Sequence, residues 1–234
     1  MDELITIGIQ LFCLAPIILF AAIKKIKIIP VYFLLSVGYV LVNFALLNCT
    51  SDVGGWNWGG KSGAIAFSLI IFLAFPTLRA ELGFTLTLKS NSIAKSLTAI
   101  TMLFFAAASL GLTQERTPFN IETILFQLAM PSLDEEMAYR GILLCLLSRG
   151  LSASKNSKYN FAAIIITLLF GAVHGVHYSG GDLSIDPLGF LIATAVGAVL
   201  MYMRVLSGSI FFPIIGHSIF NVTLLSVPMI HYYG

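Results

Sequence analysis

The chain has 234 residues, 58% of them hydrophobic and only 10% charged, and its mean hydropathy is +0.93. Soluble domains carry about 25% charged residues, so the composition excludes a water-soluble globular protein and places the chain in a bilayer. The net charge of +2 gives no basis for a nucleic-acid partner.

A spanning helix needs about 20 predominantly apolar residues. Eight stretches have that character: 4–23, 28–48, 63–79, 93–112, 122–148, 160–178, 188–206 and 209–230. The expected fold is therefore all-α, a polytopic membrane protein of eight transmembrane helices forming one domain over 1–234. The first stretch has Asp2 and Glu3 before it and Lys24, Lys25 and Lys27 after it. That is the reverse of a cleaved signal peptide, so it reads as a retained helix. Between the second and third stretches, Trp56 and Trp58 lie in the glycine-rich connection Gly54–Gly60. They read as headgroup-level anchors, with a lid as the alternative. Segment 79–92 reads as a cytoplasmic amphipathic piece, and 178–189 as a loop over the outer end. Cys13, Cys49 and Cys145 have no metal-type spacing and read as three buried thiols.

Basic residues set the expected orientation. Ten Lys and Arg fall in connections on one side, two (Lys61 and Arg116) on the other, and Arg140 falls inside the membrane. The positive-inside rule then puts both termini outside the cytoplasm.

The fifth stretch is the unusual one. It carries Asp134, Glu135, Glu136 and Arg140 at its middle, just after Pro131. One charge at that depth costs about 2.5–3.5 kcal/mol on insertion scales, so such a cluster marks a functional site. Pro131 is expected to kink the helix and present the acids to a cavity. Glu136 and Arg140 are four apart and share a face, so they can pair. Glu135 is rotated by about 100° and is left to face the cavity. A carboxylate beside another and away from water suits a general base. Asp134 reads as a local hydrogen-bonding residue near the proline.

Two further stretches carry polar groups at similar depth. In the sixth, Phe170 and His174 are four apart on one face; in the eighth, His217 and Asn221 are four apart. His177 reads as interfacial, and Ser218 points off the polar face. From this inventory, Glu135 and His174 can hold and deprotonate a water. His217 and Asn221 can donate to the oxygen that turns negative when a carbonyl is attacked. No HExxH motif and no serine or cysteine nucleophile with a paired base is present.

Glu135-Glu136-x-x-x-Arg140, Phe170-x-x-x-His174 and His217-x-x-x-Asn221, in that order, resemble the CAAX protease and bacteriocin-processing (CPBP, or Abi) family. This family includes the type II CAAX prenyl endopeptidases. The resemblance covers residues 122–226 and implies a catalytic core there, with the active site among predicted helices 5, 6 and 8. It implies an intramembrane glutamate-type endopeptidase with no obligatory metal or other cofactor. Glu135 and His174 would activate water, His217 and Asn221 would serve the oxyanion side, and Glu136, Arg140 and Phe170 would support the site. The implied substrate is a protein or peptide with a membrane-associated terminus: a prenylated CAAX tail, a leader peptide or a sorting tail. The expected setting is the plasma (inner) membrane of a prokaryote, with the site reachable from the outer face. The alternatives are a non-proteolytic immunity or scaffold protein, a zinc metalloprotease using Glu135, Glu136, His174 and His217, and a transporter, which the lack of an inverted repeat disfavours.

Overall fold

The computed structural model describes residues 2–12, 19, 27–48, 55–89, 91–152 and 161–233. The elements in order are α1 (Asp2–Phe12), β1 (Lys27–Ile28), α2 (Pro30–Asn48), α3 (Trp58–Ala74), a 3₁₀ turn (Pro76–Leu78), α4 (Arg79–Leu82) and α5 (Ser92–Gly111). Then come α6 (Ile121–Glu135), a π-helical segment (Glu136–Leu143), α7 (Leu144–Gly150), β2 (Leu151–Ser152), α8 (Phe161–Gly175), β3 (Val176–Ser179), β4 (Asp182–Ile185), α9 (Pro187–Ser207) and α10 (Phe211–Tyr232). The molecule is an all-α membrane protein whose strands are confined to two short ladders among the described residues.

Four of these helices are long and apolar enough to span: α2, α5, α9 and α10. A fifth span is formed if α3 and 76–82 count as one, bent by 96° after Phe75, where Pro76 cannot continue the helical hydrogen bonding. Helix α8 is apolar but only 15 residues long, because the chain turns at Gly175 into the β3–β4 hairpin. The stretch expected as one long fifth helix is instead α6, the π segment and α7 in series. The helix runs through Pro131, and its irregularity begins one turn later. The cysteines Cys13 and Cys49 and the basic residues Lys24, Lys25, Lys155 and Lys158 lie outside the described residues, whereas Cys145 is a buried thiol outside any disulfide.

The chain divides into two compact units, 1–37 with 143–201 and 38–142 with 202–234. In the second unit, α10 packs along both α5 and α6, and α3 packs along α6. Helix α3 starts at Trp58, earlier than its apolar run suggests, because Asn57 caps it by accepting from the Gly60 amide at 2.8 Å. Gly60 is needed there: a Cβ would sit 2.6 Å from the Leu47 carbonyl oxygen. Trp56 and Trp58 are not lipid-facing anchors alone. Both rings pack on Phe126 of α6, at 4.8 and 5.1 Å between centroids. Their indole N–H groups donate to Thr123 and Glu122, each at 3.1 Å.

In the first unit, α1 packs against α8 and β3. The expected loop 178–189 is largely a hairpin, and its turn is Gly180-Gly181 with φ of 62° and 96°. Both turn positions need positive φ, which glycine adopts without strain. Gly171 and Gly175 lie four apart on α8 and let α9 approach closely. A Cβ at Gly175 would fall 2.5 Å from Phe190 Cβ and 2.8 Å from the Asp186 carbonyl. Overpacking of this kind costs about 1–3 kcal/mol. Gly175→Ala is therefore expected to lower the unfolding free energy of the purified protein by roughly that amount, read from thermal unfolding in detergent; unchanged stability would contradict the close packing of α8 on α9.

Candidate functional site

The site is best described from the second unit, which contains α6, the π segment and α10. Glu136 opens the π segment and Arg140 follows on the same face, with Arg140 Nη1 donating to Glu136 Oε1 at 3.0 Å. Both side chains are fully buried, at 0% exposure. The same Glu136 oxygen accepts from His217 Nδ1 of α10 at 2.8 Å. Arg140 holds Glu136 as a carboxylate, and a carboxylate only accepts. The proton on that hydrogen bond therefore belongs to His217 Nδ1, and the ring presents Nε2 on its other side. Nε2 faces Glu135 Oε2 at 3.9 Å, too long for a hydrogen bond.

π-Helical turns are rare and concentrate at functional sites. Here the segment has a support of its own. Arg204 Nε donates to the Arg140 carbonyl at 2.9 Å, and its Nη2 donates to the Glu81 carbonyl at 2.6 Å. Gly83, with φ of 71°, makes room for that guanidinium: a Cβ there would lie 2.5 Å from Arg204 Cζ. The sequence pattern places Arg204 at the cytoplasmic end of the seventh stretch; it is buried there and bonded to backbone.

Glu135 also has a partner that the sequence pattern misplaces. Lys61, read above as a loop residue, lies one turn into α3, and its Nζ reaches Asp134 Oδ2 at 2.8 Å and Glu135 Oε1 at 2.9 Å. Lys61 and Glu135 are each mostly buried, at 16% and 17% exposure. Asp134 is not locally bonded as expected; besides Lys61, it accepts from Asn43 Nδ2 of α2 at 3.5 Å. Asn221, one turn after His217, donates from Nδ2 to Gln127 Oε1 of α6 at 3.1 Å. Ser218 ties α10 to α6, bonding Ser132 Oγ and donating to the Leu128 carbonyl, both at 2.7 Å. Three signals could have found the missed residues. Asn57 marks an earlier helix start that carries Lys61 inward, and Asn43 and Gln127 are amides set within apolar runs.

In the first unit, His174 Nδ1 lies 2.7 Å from the Phe170 carbonyl oxygen, which can only accept. The proton therefore sits on Nδ1, and Nε2 of the neutral ring is left as an acceptor. The Phe170 ring is buried and lies 4.6 Å from the imidazole, tilted by 46°. His174 itself is exposed, and its carbonyl oxygen is 3.3 Å from His177 Nε2. Among the described residues, no three His, Cys, Asp or Glu side chains are arranged to hold a metal ion.

Residues 117–223 match the family model described as type II CAAX prenyl endopeptidase, Rce1-like. This is the family that the three motifs resemble, and the matched stretch contains all seven motif residues. At the family level it supports a CAAX-type intramembrane protease. No curated protein and no solved structure matches the chain.

Breaking a buried ion pair by removing one partner costs about 3–5 kcal/mol, because the other charge is left uncompensated. Arg140→Met is expected to destabilise by that order. Glu136→Gln with Arg140→Met should be less destabilised than Arg140→Met alone, since no charge is then stranded. A denaturation series on the two variants checks this, and a double variant worse than Arg140→Met would refute the pairing as the source of the cost.

Proposed function

We propose that this chain, whose segment 117–223 carries the Rce1-like CAAX endopeptidase signature, hydrolyses a peptide bond near the end of a membrane-associated protein. In this reading Glu135 is the general base and His174 its partner in activating water. His217 and Asn221 serve the oxygen that becomes negative, and Glu136, Arg140 and Phe170 hold those groups in place. The catalytic core is 122–226.

What supports the reading most is the pair of contacts on the His217 ring. Glu136 takes Nδ1–H at 2.8 Å, which fixes the ring, while Nε2 faces Glu135 Oε2 across 3.9 Å. A carboxylate that orients an imidazole in this way sets its tautomer and the direction of its other nitrogen. In the reaction, Glu135 Oε2 takes a proton from water as the oxygen attacks the scissile carbonyl carbon. The Asn221 amide donates to the oxyanion, with His217 as the second group on that side. Collapse of the tetrahedral intermediate expels the amine, which takes up the proton held on Glu135. His174 has Nδ1 committed to the Phe170 carbonyl, which turns Nε2 to the opposite side of the ring.

The substrate is identified by its new end. Chain-terminus proteomics is done on cells carrying the wild type and cells carrying Glu135→Gln at equal membrane abundance. A set of termini present with the first and absent with the second is expected, and His174→Ala should lose the same set. Identical terminus profiles for the wild type and Glu135→Gln would refute the peptidase and favour a scaffold or immunity protein.

We also propose that the termini face outward across a prokaryotic plasma membrane and that the site opens to the outer face. With Lys61 inside α3, Arg116 remains as the outer basic residue, against Arg79, Lys89, Lys95, Arg149 and others on the cytoplasmic side. In a cysteine-free background, Arg116→Cys should react with an impermeant maleimide added outside intact cells and Lys89→Cys should not. Both are exposed positions. The opposite labelling would invert the topology.

A further inference from the structure

Lys61 lies outside both the three motifs and the matched stretch 117–223. It nonetheless touches the proposed base directly, at 2.9 Å. Its place is secured from several directions. The Asn57 cap starts α3, and Trp56 and Trp58 pin that end of α3 on Phe126. Asp134 then takes the ammonium at 2.8 Å, and Asn43 holds the far oxygen of Asp134.

The charges can be summed over the groups that face one another here. From α6 and the π segment come Asp134, Glu135, Glu136 and Arg140; from α3 comes Lys61; from α10 comes His217. With His217 neutral, three carboxylates meet two cations, which leaves one negative charge in a low-dielectric interior. Arg140 pairs with Glu136, and Asp134 and Glu135 share one ammonium, that of Lys61. Without Lys61 the same set would carry two. A second unpaired carboxylate in that environment is costly, and protonation is the cheapest relief. The carboxylates Lys61 was holding would share that proton as a coupled pair. The base would then be lost as a base without leaving the site.

We propose that Lys61 is a positioning residue for the proposed reaction, and that Asp134 is its counterweight. Lys61 binds Oε1 of Glu135 so that Oε2 stays directed at His217 Nε2, and it keeps the pair at a single negative charge. Asp134 holds the ammonium back from pairing wholly with Glu135, which would otherwise be a weaker base. The inference rests on the peptidase reading, and it assigns work to two residues that the motifs leave idle.

The test follows the charge rather than the side chain. Each variant of the full-length protein is expressed at matched membrane abundance, and the readout is the rate at which the Glu135-dependent chain termini form after induction. Lys61→Met should reduce that rate by about tenfold or more, the size of a lost positioning interaction. Asp134→Asn should also reduce it. Lys61→Arg should retain the rate within about threefold, because charge and reach survive. The deciding variant is Lys61→Met with Asp134→Asn. It removes one charge of each sign and restores the original sum, whichever form His217 takes. It should recover well above Lys61→Met, whereas a purely structural pair would leave the double variant no better than the worse single one. Should Lys61→Met not accumulate, Asp134→Asn against Lys61→Arg still decides. Wild-type or higher rates in Lys61→Met or Asp134→Asn, or no recovery in the double variant, would overturn the inference. Loss of the terminus difference between the wild type and Glu135→Gln would instead overturn the peptidase reading on which it rests.

Discussion

One oxygen atom, Glu136 Oε1, joins the π segment to α10 in the second unit. It accepts from Arg140 at 3.0 Å and from His217 at 2.8 Å. An isolated ion moved from water into a protein interior costs several kcal/mol, and a bilayer offers no water to soften that. Three carboxylates on one helix are therefore tolerable only as part of a compensated set. The set is completed from other helices: Lys61 from α3, His217 from α10 and Asn43 from α2. The arrangement of α3 and α10 around α6 thus follows largely from where the acids need partners.

The supports of that set are themselves unusual. The π segment places Glu136 and Arg140 where both are sealed from solvent, and Arg204 satisfies a carbonyl within it. Arg204 can lie there because Gly83 has no side chain and a left-handed backbone. The start of α3 is held by two tryptophans on one phenylalanine, which sets how far Lys61 extends along α6. Mobile lysines on surfaces contribute little through ion pairs. This one is mostly buried and shared by two carboxylates, so its geometry is constrained. The consequence for function is directional: one oxygen of Glu135 is occupied and the other faces the imidazole.

The same economy appears in the first unit. His174 is held by the carbonyl and ring of Phe170, both four residues earlier on α8. Gly171 and Gly175 on that helix admit α9 at a distance no larger residue would permit. In membranes, where apolar attraction between helices is weak, close approach of this kind is a main source of packing energy.

Much of the chemistry was legible in one dimension. An apolar composition with one strongly charged stretch dictates a membrane protein with a polar centre, because the cost of burying charge is a property of the residues alone. The i,i+4 spacing of Glu136 and Arg140, and of Phe170 and His174, dictates shared helical faces, since a helix repeats every 3.6 residues. Tertiary structure decided the rest. Lys61 reads as a loop charge until Asn57 is seen capping α3 ahead of the apolar run, and Asp134 reads as a local group until Lys61 arrives beside it. Arg204 reads as a charge at the cytoplasmic end of a helix until the Glu81 and Arg140 carbonyls are found to take its guanidinium. Each of these partnerships crosses between helices, and helical periodicity describes one helix at a time. Which charge meets which is set by the packing of separate segments, and that packing is itself set by the charges that must be paired.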